Sequence, residues 1–265
     1  MIMTTKVVLN VGTRKKADYL IYLGYALHAL GKRVLIVDVT KNGVYRNGYV
    51  RLGPSEYLYD LQGLDILVDV ENWLDIEVLL KSARETTTNY DVILLDIDHI
   101  DTLKQDWPEF DDYVYVGDFE RDHIKRDAEL VQYLMSLTPA PHIRRITFGS
   151  KFKMNADFIE VLIKGEIKWN SIHMLFEHDD AMEELRLTIQ HQQTIPFPNL
   201  NRQHKELING YISELYLLHI EEVNSNVKQK SKGFLGTLFG KKNRNIKNDE
   251  NENENADDYA FGKLK

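Results

Sequence analysis

The chain has 265 residues, a formal net charge of −8, 43% hydrophobic and 28% charged residues, the balance of an ordinary soluble protein. It has no cysteine, which excludes disulfide frameworks, thiolate zinc and iron–sulfur centres and a cysteine nucleophile. No apolar run approaches the ~18 residues that a bilayer span needs. Residues 1–12 lack the apolar core and cleavage site of a signal peptide, so a cytoplasmic protein is expected.

The charge is unevenly spread. Met1 to Glu222 carries −11, Val223 to Asn248 carries seven basic residues and no acid, and Asp249 to Lys265 carries −4. An acidic body disfavours nucleic acid as a partner. The basic block needs its own explanation.

Lys6–Val11 (KVVLNV) predicts a buried parallel strand ending at Gly12. Ala17–Leu30 has helical spacing, and Arg33–Val39 (RVLIVDV) predicts a second buried strand, giving a βαβ unit. Ile66–Val70 is a short apolar segment and Asp75–Thr86 reads as a helix. Val92–Ile97 (VILLDI) is the most hydrophobic strand, and Tyr113–Val116 is another. Lys125–Ser136 reads as a helix, Arg145–Phe148 and His173–Phe176 as strands, Asp179–His191 and Arg202–Leu218 as helices. At least five strands alternating with helices predict an α/β fold, a doubly wound, mostly parallel sheet in a three-layer, Rossmann-like arrangement.

Ligands in such sheets sit at the carboxyl ends of the strands. Three polar groups fall there: the loop Gly12-Thr13-Arg14-Lys15-Lys16-Ala17-Asp18, then Asp38, then Asp96 with Asp98. These are the places of a phosphate loop, a magnesium carboxylate and a hydrolysis-supporting acid in a P-loop ATPase.

The stretch VGTRKKADYLIYLGYALHALGKRVLIVDV resembles the opening of the ParA/MinD group of deviant P-loop ATPases, and NYDVILLDID resembles their Walker B strand. DDYVYVGDFERDHIKRDAELVQYL and TIPFPN resemble later elements of that family. The resemblance covers about Lys6 to Leu218. It implies a nucleotide-binding remnant at Gly12, Arg14, Lys15, Lys16, Asp38 and Asp96, with Lys16 on the Walker lysine and ATP with magnesium as the family's cofactors. The loop departs from the family pattern. Val11 replaces the signature lysine, Lys15 a glycine, and Ala17 the hydroxyl residue that would hold magnesium. A side chain in place of the glycine hinders closure of backbone N–H groups round a phosphate, so rapid hydrolysis is not expected. Arg14, Lys15 and Lys16 read either as an anion site at a helix N-terminus or as a solvated basic turn. Asp96 reads either as a metal carboxylate or as a polar strand end.

Ser231–Lys242 (SKGFLGTLFGKK) places Phe234, Leu235, Leu238 and Phe239 on one helical face, with Lys232, Lys241 and Lys242 at its ends. This is the pattern of an interfacial membrane helix facing anionic lipid. It also resembles the carboxy-terminal membrane-targeting segment of the MinD branch. The other reading is a docking helix for another protein or for the chain's own body. Asn243–Asp258 is low-complexity and polar, and is expected to be disordered.

His99 beside Asp96, Asp98 and Asp101 is the best histidine cluster, equally explained as loop polarity. Tyr45, Tyr49, Tyr57 and Tyr59 form either an aromatic interaction surface or core packing. The expected organisation is a domain over 1–222, a basic amphipathic segment over 223–247 and an acidic tail over 248–265. The expected function is that of a membrane-associating, ParA/MinD-like pseudo-ATPase scaffolding a larger assembly of pilus, secretion or conjugation type. TadZ/CpaE-like proteins, with their degenerate loops, are nearest in logic. A homodimer, protein partners of the assembly and the inner face of the cell membrane are the expected associations. The alternative is an active MinD-type switch cycling on and off the membrane through nucleotide-dependent dimerisation.

Overall fold

A computed structural model describes residues 5–53, 55–152, 158–163 and 166–229. The chain opens with β1 (Lys6–Val11), α1 (Ala17–Ala29), β2 (Val34–Val39) and the short α2 (Val44–Gly48). A hairpin of β3 (Leu58–Leu61) and β4 (Leu64–Leu67) leads to α3 (Trp73–Ser82), β5 (Val92–Ile97) and α4 (Ile100–Leu103). Next come β6 (Asp112–Gly117), α5 (Arg121–Ser136), β7 (Ile143–Phe148), α6 (Phe158–Leu162) and β8 (Trp169–Phe176). The described part ends with α7 (Ala181–Gln192), α8 (Arg202–Tyr216) and a helical run over 220–229.

The central strands read as unbroken apolar runs because both their faces are buried. Along β1, Val8 enters one apolar cluster while Val7, Leu9 and Val11 enter the other. In β2, Val34 and Ile36 face the first cluster, Leu35 and Val37 the second. The first cluster takes side chains from α1, α7, α8 and residues 220–229, and the second from α3, α5 and α6. The result is a sheet between two helical layers. Helix α1 lies so deep that Ala17 through Leu27 are all buried, which is why its sequence is apolar on every side.

The eight strands run in the order β3-β4-β2-β5-β1-β6-β7-β8. All pairs are parallel except the β3–β4 hairpin. The chain passes from β1 to β2 on one side, and later from β6 to β7 on the other. The strand order therefore switches at the β1–β6 pair, and a crevice opens at their carboxyl ends.

Every strand expected from sequence is present, with longer bounds for Tyr113–Val116, Arg145–Phe148 and His173–Phe176. The hairpin partner β3 was not expected. Its signal is the two-residue turn Gln62-Gly63, both at positive φ (56° and 87°). The folded body also runs past the expected boundary at residue 222. Residues 220–229 are helical across it, and Val223 and Val227 are buried in the first cluster. The membrane-directed residues Lys232, Phe234, Leu235, Leu238, Phe239, Lys241 and Lys242, and the acidic tail, lie outside the described residues. Among the described residues no helix is long and apolar enough to cross a membrane.

Gly12 is fixed by packing. Its φ is +143°, and an added Cβ would stand 2.0 Å from the Val116 carbonyl oxygen in neighbouring β6. At Gly63 the obstacle is the His28 imidazole, 2.5 Å away at the end of a side chain that can swing. Gly63→Ala should therefore cost only the left-handed backbone, ~1–2 kcal/mol. Gly12→Ala should cost at least ~3 kcal/mol, because strain adds to overpacking against backbone. Urea denaturation of both variants checks the order, and equal losses would contradict it.

Candidate functional site

The site is built on the loop after β1. Lys16 is the residue at the start of α1, and its side chain turns inward. It is fully buried, and its Nζ lies 2.7 Å from Asp96 Oδ1, itself buried on β5. Nζ also donates to the carbonyls of Gly12 (2.5 Å) and Ile97 (3.3 Å). Asp96 balances the charge as an ion pair, and the two carbonyls accept two of the ammonium's three hydrogens.

The other oxygen of Asp96 accepts the Tyr45 hydroxyl at 3.0 Å. Burial pushes that hydroxyl well above its ordinary range, so it stays protonated and donates. Tyr45 is delivered by α2, which Asp38 anchors. Asp38 Oδ2 accepts the Tyr45 N–H (2.8 Å), and Oδ1 accepts the Thr40 hydroxyl and N–H (2.5 and 3.1 Å). Asp38 and Asp96 are cross-strand partners on β2 and β5. Gly12, Lys16, Asp38 and Asp96 are thus brought together, through Tyr45, into one buried network.

Arg14 and Lys15 go elsewhere. The Arg14 guanidinium lies 3.6 Å from the centre of the Phe148 ring and 3.8 Å from Asp118. Burial pulls its pKa down, against the fields of Asp18 and Asp118. Lys15 is exposed. Between them, the Thr13 N–H and hydroxyl both donate to Asp127 Oδ1 at 2.7 Å, and Tyr115 donates to Oδ2 at 3.0 Å. Asp127 belongs to α5, across the β1–β6 crevice. Its burial raises its pKa, and the Thr13 bonds oppose that rise. The crevice is therefore bridged by Thr13–Asp127 and Arg14–Asp118. Asp18, buried in the first turn of α1, accepts the Tyr19 N–H at 2.9 Å and places a carboxylate where a helix N-terminus would attract an anion.

Over the loop, at the ends of β6, β7 and β8, lies a cleft of about 530 Å³. Its floor is the Phe148–Phe176 pair, stacked at 4.8 Å. Six carboxylates line it against the three cations Arg14, Lys15 and Arg186. In this arrangement a triphosphate and its magnesium ion do not fit. Lys16 would have to leave a buried ion pair, a carboxylate already holds the Thr13 donors, and Ala17 supplies no hydroxyl.

Asp127, Tyr45 and Thr13 are the site residues that sequence reasoning missed. Asp127 left a signal, since it lies on the face of α5 that buries Ile124, Ala128 and Val131, and a carboxylate there needs partners. Tyr45 left none. Tyr45 and Tyr49 are core residues, whereas Tyr57 is exposed. His99 bonds Asp98 (3.0 Å) and Thr102 rather than Asp96.

The strand order and the loop after β1 define a three-layer α/β protein of P-loop NTPase architecture. No protein-family model and no curated protein matches the sequence. Among solved structures it resembles a ParA family ATPase from Chlorobium tepidum, at 16% identity and a TM-score of 0.51, over 78% of this chain and 97% of that one. It likewise resembles a putative plasmid partition protein from Borrelia burgdorferi bound to AMPPNP, at 15% identity and a TM-score of 0.51, over 81% and 99%. The chain has the fold of the ParA/MinD-family P-loop ATPases, and at these identities the likeness is one of fold alone.

The buried network makes two predictions. Lys16→Met strands the Asp96 charge and should lower stability by ~3–5 kcal/mol, whereas Lys16→Met with Asp96→Asn should recover most of it. Urea unfolding measures both, and a double variant no better than the single would contradict the pairing. The second concerns Asp38, whose burial pushes its carboxyl up from 3.8 to about 6. A carboxyl raised in the folded state stabilises at pH values below its unfolded value, and that contribution is lost as pH rises through about 6. Wild-type stability relative to Asp38→Asn should therefore fall by ~3 kcal/mol between about pH 4 and about pH 6.5, then level off. A flat difference would contradict it.

Proposed function

We propose that this chain is a non-hydrolysing protein of ParA/MinD fold that works as a spatial organiser: a cytoplasmic scaffold, peripherally associated with the inner face of the cell membrane, on which a larger assembly is placed. The observation that carries the reading is Lys16, whose buried ammonium is ion-paired with Asp96 and donates to two backbone carbonyls. A pseudo-ATPase of this logic resembles the TadZ/CpaE-like proteins. The acidic body and the acidic lining of the cleft support protein partners over nucleic acid.

The membrane half of the reading rests on sequence. Phe234, Leu235, Leu238 and Phe239, with Lys232, Lys241 and Lys242 beside them, supply ~1.5–3 kcal/mol per buried apolar side chain at most, and about 1 kcal/mol per lysine near anionic lipid. Three glycines, Gly233, Gly236 and Gly240, each weaken the helix by roughly 1 kcal/mol. One copy then binds reversibly, and two copies on a homodimer bind more tightly by avidity. The second reading, an ATPase switch, draws on the presence of Lys16 and Asp96 at the family's positions. It requires Lys16 to exchange Asp96 for a phosphate.

The test has two arms. Purified full-length protein should release no phosphate from ATP with magnesium, and turnover that vanishes in Lys16→Met/Asp96→Asn would restore the switch. The chain should float with vesicles containing phosphatidylglycerol, and deletion of 232–242 should abolish flotation. Equal flotation of both forms would remove the membrane half.

A further inference from the structure

Helix α8 starts at the cleft wall, where His204 lines it. After a short turn at Leu217, which has φ 53°, residues 220–229 return along α8. The register is fixed by the Asn209 Nδ2 to Asn224 Oδ1 hydrogen bond of 2.8 Å, with Val223 and Val227 packed in the same cluster as Ile208 and Tyr211. In an antiparallel helix pair, residue 229 lies as far beyond Asn224 as His204 lies before Asn209. The exit of the folded body is therefore level with the cleft wall. Phe234 comes five residues later, a reach of up to ~17 Å if extended.

The cleft suits the stretch of chain beyond residue 229. It adjoins a second hollow of about 620 Å³, and Gly149, Glu177, His178 and Asp180 line both. The second hollow presents apolar surface in Phe119, Phe152 and Leu175, of which Phe152 is 77% and Leu175 41% exposed. Glu177, Asp179, Asp180 and Glu183 give the cleft an acidic rim, which the second hollow shares at Glu177 and Asp180. The segment Lys232–Lys242 has the complementary composition, four large apolar side chains with lysines at both ends and no acid.

We propose that residues 232–242 dock into this cleft of their own chain, with Phe234, Leu235, Leu238 and Phe239 against the exposed Phe152 and Leu175 and the lysines on the acidic rim. The inference rests on the reading of this segment as membrane-directed and adds its regulation. The same four side chains that would enter lipid are held by the body, so the cleft and an anionic membrane compete for them. A partner that fills the cleft releases the segment, which couples assembly to membrane recruitment.

The absence of cysteine allows a direct test in the full chain. Cysteines introduced as Lys15→Cys, at the cleft, and Thr237→Cys, in the segment, are treated with a short bismaleimide without lipid. A control pairs Thr237→Cys with the exposed site Glu71→Cys, before α3. The cleft pair should cross-link within one chain at least tenfold faster than the control. The rate should fall to that of the control in Asp180→Lys/Glu183→Lys, whose exposed positions tolerate the change, and on adding phosphatidylglycerol vesicles. Equal rates for the two pairs, a rate unaffected by the charge reversal, or a product that runs as a dimer would overturn docking. Flotation separates the two readings. A chain that never floats yet cross-links at the cleft keeps the docking and loses the membrane, and one that floats with equal cross-linking rates loses the docking.

Discussion

The ion pair between Lys16 and Asp96 is the constraint on which the site depends. A lysine ammonium buried without a partner costs several kcal/mol. This one is tolerable because a carboxylate lies 2.7 Å away and two carbonyls accept from it. That satisfaction fixes the start of α1 against the end of β5, and through Tyr45 it fixes α2 and the end of β2 as well. A phosphate-binding lysine needs the opposite condition: a charge aimed outward and left for the ligand.

The β1–β6 crevice repeats the theme. Open α/β sheets leave this gap because the chain departs on opposite faces from the two strands, and ligands use it. Here side chains from both walls meet across it, Thr13 with Asp127 and Arg14 with Asp118. Hydrogen bonds to charged groups contribute ~1.5–3 kcal/mol, so the Thr13–Asp127 bonds tie α5 to the loop, while the Arg14–Asp118 ion pair ties the loop to the turn after β6. What stays open is displaced towards β7 and β8, where the floor is aromatic and the lining acidic.

The fold was legible in the sequence because each central strand is a buried apolar run and the longer helices α5, α7 and α8 carry a periodic stripe. The edge was harder to read. β3 (LYDL) is short and half-exposed, so its apolar content does not announce a strand. Of the site, the residue types and positions were legible but not their orientation. KKAD after a strand looks the same whether the lysine points out to a phosphate or in to Asp96. Lys16 turns to Asp96, whose other oxygen Tyr45 holds, and Asp127 holds Thr13 beside it; Tyr45 and Asp127 lie 29 and 111 residues beyond Lys16, and no local pattern connects them to the loop.

The central claim is that the Lys16 ammonium belongs to Asp96. Nitrogen-15 NMR of the lysine side chains addresses it directly, because a buried, ion-paired ammonium exchanges its protons slowly enough to be seen while exposed lysines do not. The account predicts one protected Lys16 signal, coupled to the Asp96 carboxylate and unmoved by added ATP and magnesium. A Lys16 signal that is absent from the free protein, or that shifts on adding the nucleotide, would contradict it.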